Sequence, residues 1–501
     1  MQATGHSDAD WRAPAATTAV HASIRLPGSK SITNRALILA ALADGPTAIM
    51  GPLRARDTDL MARAVIALGA SVTDSGSTRT GNGQLPASGS DSGRPVGEVP
   101  PHDTGKPADP VSPASPDPPS WTVTPGRAPG ASRVDVGNAG TVLRFVPPAA
   151  ALAAGDVEFS GDPRAAQRPV GQLLAGLRQA GVEVSDGGRG TVPFVVRGRG
   201  GVRGGSVTLD ASSSSQLISG LMLAAPRYEL GIQITHEGSR VPSAPHIAMT
   251  AAMLTAAGAE VESRSSGHAS SGSSSSGSGA HPPDSWRVRP GRLRPGTIMV
   301  EPDLSNAVPF LASALVTGGT ITIPGWPAVS LQAADQILAV LQRMGAACQA
   351  TPAGLRVAGT GRIRGISADL RDINEVAPVL TALAALADGP SEFTGIGHMR
   401  FHESDRLAVL AGEIGELGGH ITELPDGLRV TPRPLRAGQR PFDSHDDHRM
   451  VMAAAVLGLA VPGLRVRNAL TVAKTFPAFL TLWQQMLGQQ MLGQQMLGQA
   501  N

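Results

Sequence analysis

The sequence predicts an α/β protein built from six repeats of one unit, and three observations carry that expectation. A short alternating strand bounded by glycine recurs along the 501 residues. A helix that ends in glycine and runs straight into a strand recurs in step with it. The other helix of each unit opens with polar and charged residues where a purely structural helix needs only a cap.

The strands read GPTAIMG from Gly45, GDVEFSG from Gly155, GIQITHEG from Gly231, GTITIPG from Gly319, GPSEFTG from Gly389 and GLRVRN from Gly463. Their spacings are 110, 76, 88, 70 and 74 residues. Removing an insert of roughly 45 residues brings the first spacing into line, for units of about 75 residues. The helix-to-strand junctions are ALGASVT at Gly69, RQAGVEVS at Gly181, TAAGAEVES at Gly258, RMGAACQA at Gly345 and ELGGHITEL at Gly418. In each, glycine supplies a left-handed C-terminal cap and the following alternation starts the strand. A sixth copy fades at Gly488. The single cysteine, Cys348, falls in one of these strands and reads as a small packed residue rather than a nucleophile.

Two segments stand apart from the repeat. Residues 76–130 and 264–284 are dense in small and polar residues and cannot bury enough apolar surface to offset chain entropy, so both read as solvated loops. From Met486 the chain repeats MLGQQ. A period of five keeps no fixed face on a helix, so 486–501 reads as a slack tail.

Lys and Arg number 42 against 40 Asp and Glu, which is too even for binding nucleic acid or a membrane surface through bulk charge. No uninterrupted apolar run of about 18 residues appears, and the first residues lack a basic segment followed by an apolar one. The expectation is a cytoplasmic, soluble monomer with no nucleic-acid or membrane partner. One cysteine makes neither an internal disulfide nor a cysteine metal cluster.

The chemistry concentrates at helix starts. The first helices open at Lys30-Ser31-Ile-Thr-Asn34-Arg35, Asn138-Ala-Gly140-Thr-Val-Leu-Arg144, Ser214-Ser215-Gln216, Asp303-Leu-Ser305-Asn306, Asn374-Glu375 and Asp447-His448-Arg449. The second helices add Arg168, Ser243 with His246, the run His402-Glu403-Ser404-Asp405-Arg406, and Lys474. Helix N-termini carry partial positive charge, so repeated cations there need a shared anionic partner with more than one anionic group. Glu375 and Glu403 are the carboxylates placed for proton transfer. Neighbouring cations would lower their pKa values and favour a base, whereas burial would raise them and favour an acid. The pair His398/His402 lacks the glutamate placement of a zinc-protease motif, and no phosphate-binding GxxxxGK[ST] loop exists, so neither a metal nor a nucleotide is expected.

Six motifs in order, LPGSKSITNRALILAALA, GNAGTVLRF, RPVGQLLAGLRQAG, HESDRLAVL, DDHRMVMAAAV and AKTFPAF, resemble the EPSP synthase (3-phosphoshikimate 1-carboxyvinyltransferase) family from about Ser23 to Leu482. The resemblance implies a two-domain enolpyruvyl-transferase fold with three βαβαββ-type units per domain and the active site in the cleft between them. Crossings near Pro27 and Pro302 then give one domain over 28–301, carrying both loops, and a second from 1–27 plus 302–485. It implies transfer of the enolpyruvyl group of phosphoenolpyruvate to the 5-hydroxyl of shikimate 3-phosphate, with no cofactor. Lys30, Asn138, Gly140, Arg168, Gln216, Arg406, Arg449 and Lys474 would contact phosphoenolpyruvate. Lys30, Ser31, Arg35, Ser214, Ser215, Gln216, Ser243, Glu375 and His402 would hold shikimate 3-phosphate, and Glu375, Glu403 and Lys30 would be catalytic. It further implies inhibition by glyphosate in the phosphoenolpyruvate site, with open space beside Gly140. Glu375, His402 and His246 stand where Asp, Lys and Tyr are frequent, which leaves the charge at His402 to its surroundings. The sister enzyme acting on UDP-N-acetylglucosamine would show a Lys-Asn pair at Lys30-Ser31 and a loop cysteine. A non-catalytic metabolite sensor would have no use for both carboxylates.

Overall fold

The computed structural model describes residues 10–74, 120–126, 130–265 and 283–488. Within them the six expected strands sit one in each of six small sheets, at Thr47–Met50, Asp156–Ser160, Ile232–His236, Thr320–Ile323, Ser391–Thr394 and Arg465–Arg467. The five four-stranded sheets repeat one pattern, and the three-stranded sheet of Arg465–Arg467 lacks only its outer edge strand. Around Asp156–Ser160, strand Ser132–Asp135 pairs parallel on one side, Phe194–Arg197 antiparallel on the other, and Glu183–Ser185 closes the outer edge. The glycines at the helix-to-strand junctions are left-handed, with φ of 98° at Gly69, 90° at Gly181, 96° at Gly258, 111° at Gly345 and 92° at Gly418. The alternation of each strand then turns one side chain in two toward the helices.

The helices are α1 (Lys30–Ala41), α2 (Arg56–Ala67), α3 (Gly140–Ala150), α4 (Gly171–Gln179), α5 (Gln216–Ala224), α6 (Ala244–Ala256), α7 (Leu304–Thr317), α8 (Ala334–Arg343), α9 (Ala377–Ala385), α10 (Arg406–Glu416), α11 (His448–Gly458) and α12 (Phe479–Met486). They alternate in character. The odd-numbered helices are apolar on nearly every side and lie inside: every residue of α3, α9 and α11 is buried. The even-numbered helices bury a stripe, as α8 does with Ala334, Ile337, Val340 and Leu341 at helical spacing. None of the helices among the described residues is long and apolar enough to cross a membrane.

Buried apolar residues form two clusters, one from Ile32 to Leu293 and one from Ala13 to Ile24 plus Leu304 to Met486. The chain passes between them twice, side by side. Ser29 donates its N–H to the Glu301 carbonyl at 2.8 Å and Asp303 to the Pro27 carbonyl at 2.9 Å. A Cβ at Gly28 would lie 2.1 Å from the Gly51 carbonyl oxygen, so only glycine fits this crossing. On either side of the crossing, each half is closed by a strand that is distant in sequence from its partner. Thr297–Met299 joins the sheet of Thr47–Met50, and His21–Ser23 joins that of Thr320–Ile323.

Three expectations need correction. The loop expected over 76–130 ends earlier, because Ser120–Thr124 is a strand between Thr47–Met50 and Ser71–Asp74, with Trp121 and Val123 buried. Its SWTVT alternation has the period of a half-buried strand inside a Ser/Pro-rich background. Arg264 likewise belongs to strand Val261–Arg264, paired with Ser285–Val288, and the two loops therefore occupy the same hairpin of two units. The rest of both loops lies outside the described residues. Met486 ends α12, is buried, and its sulfur accepts a hydrogen bond from Ser313 Oγ at 3.4 Å, so the tail starts later. The MLGQQ copies beyond Gly488 lie outside the described residues. The sixth sheet is completed by Trp11–Arg12 from the other end of the chain, antiparallel to Arg465–Arg467.

Trp121 tests the first correction. Trp121→Ala removes a side chain left 2% exposed and should lower unfolding free energy by about 3–5 kcal/mol in urea titration. A loss under about 1 kcal/mol would return the segment to solvent.

Candidate active site

The inner helices α1, α3 and α5 of one cluster and α7, α9 and α11 of the other aim their N-termini at a shared cleft. Its empty space, open mouth included, is about 1120 Å³. Lys30, Ser31, Gly140, Arg168, Ser214, Gln216, Ser243, Glu375, His402, Glu403 and Arg449 line it, as the sequence analysis expects of site residues.

The first half brings cations without carboxylates. Arg35 is 1% exposed and Arg144 and Arg168 are each 5% exposed. Arg35 donates to Thr250 Oγ1 at 2.7 Å and to the carbonyls of Ser31 and His246 at 3.0 and 3.1 Å, and it lies over the Phe145 ring at 5.0 Å. Arg168 Nη1 donates to the Asn138 carbonyl at 2.8 Å and its side-chain oxygen at 3.3 Å. Arg144 has only long bonds to the Gly140 carbonyl (3.3 Å) and Gln216 Oε1 (3.4 Å). None of these three guanidiniums forms an ion pair among the described residues. Burial pushes Arg35 and Arg144 down to about 9, and Arg168 adds to the shift at Arg144. Lys30 is the exception, 3.3 Å from Asp57. Burial opposes its charge, but Asp57, Glu403 and Glu375 outweigh burial and hold it above the ordinary lysine value.

The second half brings cations and carboxylates together. Arg406, fully buried, grips Asp447 through Nε (2.8 Å) and Nη2 (3.2 Å), and reaches Glu403 at 2.8 Å and Glu375 at 3.5 Å. Arg449 lies 3.4 Å from Glu375 and donates to Ser305 Oγ at 2.7 Å. Burial alone would raise both glutamates. The surrounding cations win: Arg406 and Arg449 hold Glu375 far below the usual carboxylate range, and Arg406, Arg168 and Lys30 do the same for Glu403. With no ligand bound, the neighbouring cations therefore outweigh burial and favour the ionised form of both carboxylates. His402 Nδ1 lies 3.1 Å from Arg406 Nη1. A guanidinium can only donate, so Nδ1 accepts and the proton sits on Nε2. Burial, Arg406 and His398 keep this imidazole neutral.

Some expected residues do not line the cleft. Arg35, Arg406 and Ser215 are buried and absent from its lining, and Asn138, also absent from it, accepts hydrogen bonds from Arg168. Lys474 is set back, its Nζ donating to the Asp446 carbonyl at 2.8 Å beside the start of α11. The space beside Gly140 is filled, not open. A Cβ there would lie 2.5 Å from Arg168 Nη2 and 2.9 Å from Arg144 Nη1. The resemblance gives no role to Arg144, Ser305, Asn374, Gln332 or Phe401, yet all five line the cleft. The helix-start pattern contains the first three. Gln332 and Phe401 carry no such signal.

Four histidines, His448 buried and His246, His398 and His402 half-buried, give the site a pH signature. Burial pushes His246 and His398 down to about 4 and holds His402 and His448 well below 6.5. Each is neutral when folded and protonates more readily when unfolded, so its contribution is complete above about 6.5 and is lost as pH falls toward 4. The glutamates act only below about 4.5. Between those limits urea stability should fall by roughly 1 kcal/mol per pH unit per histidine, and His398→Asn should remove one such contribution. A flat profile from about pH 6.5 to 5 would show the histidines free to protonate in place.

The sequence model of EPSP synthase (3-phosphoshikimate 1-carboxyvinyltransferase) matches residues 14–92 and 121–483. Two structures of EPSP synthase from Acinetobacter baumannii superpose with TM-scores of 0.68 and 0.67 at 22% and 21% identity, covering 95% and 94% of this chain and 97% of each of theirs. The enolpyruvyl transferase NikO from Streptomyces tendae superposes with a TM-score of 0.63 at 17% identity over 94% of this chain and 96% of its own. The structural likeness gives the fold, and the family match covers nearly all the described residues. The chain belongs to the EPSP synthase family.

Proposed function

We propose that this cleft carries out the family's reaction, with both substrates held between the unpaired arginines of one half and the carboxylate network of the other. That reaction transfers the enolpyruvyl group of phosphoenolpyruvate to the 5-hydroxyl of shikimate 3-phosphate and releases phosphate, a step of the shikimate pathway. The observation that carries the residue-level reading is the burial of Arg35, Arg144 and Arg168 without carboxylates, opposite two ionised glutamates. An uncompensated buried cation is costly, and a polyanionic ligand removes that cost.

In this reading Lys30 bridges both ligands. Arg168, Arg144, Gln216 and the backbone at Gly140 face phosphoenolpyruvate from one side and Arg449 from the other, while Arg406, Asn138 and Lys474 hold the ring in place from behind. Ser31, Ser214, Ser243 and His402 contact shikimate 3-phosphate, with Arg35 and Ser215 beneath. His402 donates its Nε2–H as a neutral group.

Glu375 takes the proton of the 5-hydroxyl as that oxygen attacks C2 of phosphoenolpyruvate, and Glu403 gives a proton to C3. The tetrahedral intermediate then breaks its C–O bond to phosphate, and C3 returns a proton to Glu403 as the double bond reforms. The cations stabilise the departing phosphate. Glu403 is ionised among Arg406, Arg168 and Lys30, and ligand anions compete for those cations. Substrate binding thereby raises its proton affinity and prepares the acid. The reading needs no group from a second subunit, and it places the enzyme as a cytoplasmic monomer acting on two small molecules, without nucleic acid, membrane or cofactor.

Phosphate release from phosphoenolpyruvate is expected with shikimate 3-phosphate and not with UDP-N-acetylglucosamine. The reverse preference would overturn the assignment. Glu375→Gln keeps shape and removes the base, so turnover should fall about 10²-fold or more with little change in phosphoenolpyruvate binding. Glyphosate should compete with phosphoenolpyruvate. Gly140→Ala should push aside the tips of Arg168 and Arg144 and weaken both ligands by about 10- to 200-fold while sparing shikimate 3-phosphate. Equal inhibition constants for parent and variant would contradict that arrangement.

A further inference from the structure

Arg164 lies four residues before Arg168 in the same loop, yet points the other way, across the cleft. It precedes the short 3-10 turn Ala165–Gln167 of the first half. Its Nη2 donates to the His402 carbonyl at 3.1 Å and the Arg400 carbonyl at 3.3 Å, and its Nε to the His402 carbonyl at 3.3 Å. Nη1 is held by Gln167 Oε1 at 2.8 Å. The acceptors end the 3-10 turn Gly397–Phe401 of the second half, where the last carbonyls lack partners within the turn and carry partial negative charge. The guanidinium fork fits two adjacent carbonyls in a way that a point charge does not.

The residue after the bonded carbonyls is Glu403, and His402 itself lines the cleft. One loop therefore fixes both sides of the reaction. Arg168 faces the cleft from the first half, while Arg164 sets how far away the second half places His402 and Glu403. Other bonds cross the mouth: Ser243 N–H to the Arg371 carbonyl at 3.0 Å, Asn374 Nδ2 to Ser243 Oγ at 2.5 Å, and Arg240 to Asp372 at 2.9 Å. These tether the shikimate 3-phosphate side through Ser243. The Arg164 bonds are the ones that end on the backbone of Glu403's own segment.

The geometry points to Arg164 as a positioning residue that locks the two halves at the separation at which Glu403 can protonate C3. This rests on the proposed enolpyruvyl transfer. Arg164 touches no reacting atom, and its effect passes through the backbone at His402. An error of about 1 Å in such a placement costs on the order of 10²-fold in rate.

The test uses the full chain with Arg164→Gln and Arg164→Lys. Parent turnover of phosphoenolpyruvate and shikimate 3-phosphate first establishes the reaction, and its absence would defeat the functional reading instead. Arg164→Gln should lower kcat by roughly 10- to 100-fold, with melting temperature unchanged and binary affinity for shikimate 3-phosphate, which Ser243 and its neighbours still hold, reduced by no more than about threefold. Arg164→Lys keeps one bond and should recover part of that loss. Small-angle scattering should show the parent more compact than Arg164→Gln when both have both ligands bound. A kcat within about twofold of the parent overturns the proposal. So does a parallel loss of melting temperature and binary affinity, which marks a general structural role.

Discussion

The rest of this molecule depends on one electrostatic constraint: arginines are buried in a place where the protein does not neutralise them. Arg35, Arg144 and Arg168 sit in the half whose core runs from Ile32 to Leu293, and neutral oxygens of Thr250, Ser31, His246, Asn138 and Gly140 are their main partners. Hydroxyl and carbonyl acceptors satisfy hydrogen-bonding geometry but leave the charge in place. The opposite half behaves differently, since Arg406 pairs with Asp447, Glu403 and Glu375, and Arg449 shares Glu375 with it. Such an asymmetry works against stability, and folds retain such features at functional sites. It makes one wall of the cleft an anion acceptor and the other a proton-transfer apparatus.

The repeat explains how so many helix starts converge. Each unit places its inner helix under a sheet of the same topology, so three N-termini leave each half in one direction. The caps do double duty there. Asp303 caps α7 through the N–H of Asn306 at 3.0 Å, and its other oxygen accepts the N–H of Lys30, the first residue of α1, at 3.1 Å. One carboxylate thus ends two helices from the two halves beside the double crossing. Asp447 caps α11 through the Arg449 N–H at 2.9 Å while holding Arg406 and Ser404. An ordinary N-cap motif in the sequence becomes, in three dimensions, the counter-ion of a buried arginine.

That difference marks how much could be read from residues alone. The six central strands and five glycine caps were legible because period and left-handed geometry are local properties of the chain. Lys30, Arg168 and Arg449 were legible as cleft residues because cations at helix starts contradict the helix dipole, and Glu375 and Glu403 as the carboxylates set among them. Trp121 and Val123 were hidden, since five strand residues sit beside a long small-residue segment and composition averages over them. Pairing was not legible either. Nothing local distinguishes Arg144, left without a carboxylate, from Arg406, which has three. The filled space at Gly140 is likewise set by the ends of two side chains from α3 and the 164–168 loop, positions that only packing determines.

The same logic links two unusual choices of residue. Glu375 stands where the family often has Asp, and His402 where it often has Lys. The longer carboxylate spans the gap between two guanidiniums, lying 3.5 Å from Arg406 and 3.4 Å from Arg449. A lysine at 402 would add a third full charge competing for it. The imidazole does not compete as a cation: Arg406 donates to its Nδ1, so protonation there would set two donors against each other, and burial disfavours the charged ring as well. His402 therefore offers Nε2–H to a ligand without drawing Glu375 away from its two arginines. The carboxylate stays ionised and oriented by Arg406 and Arg449, as the base proposed for the 5-hydroxyl must be, and the two residue choices act as one adjustment of charge.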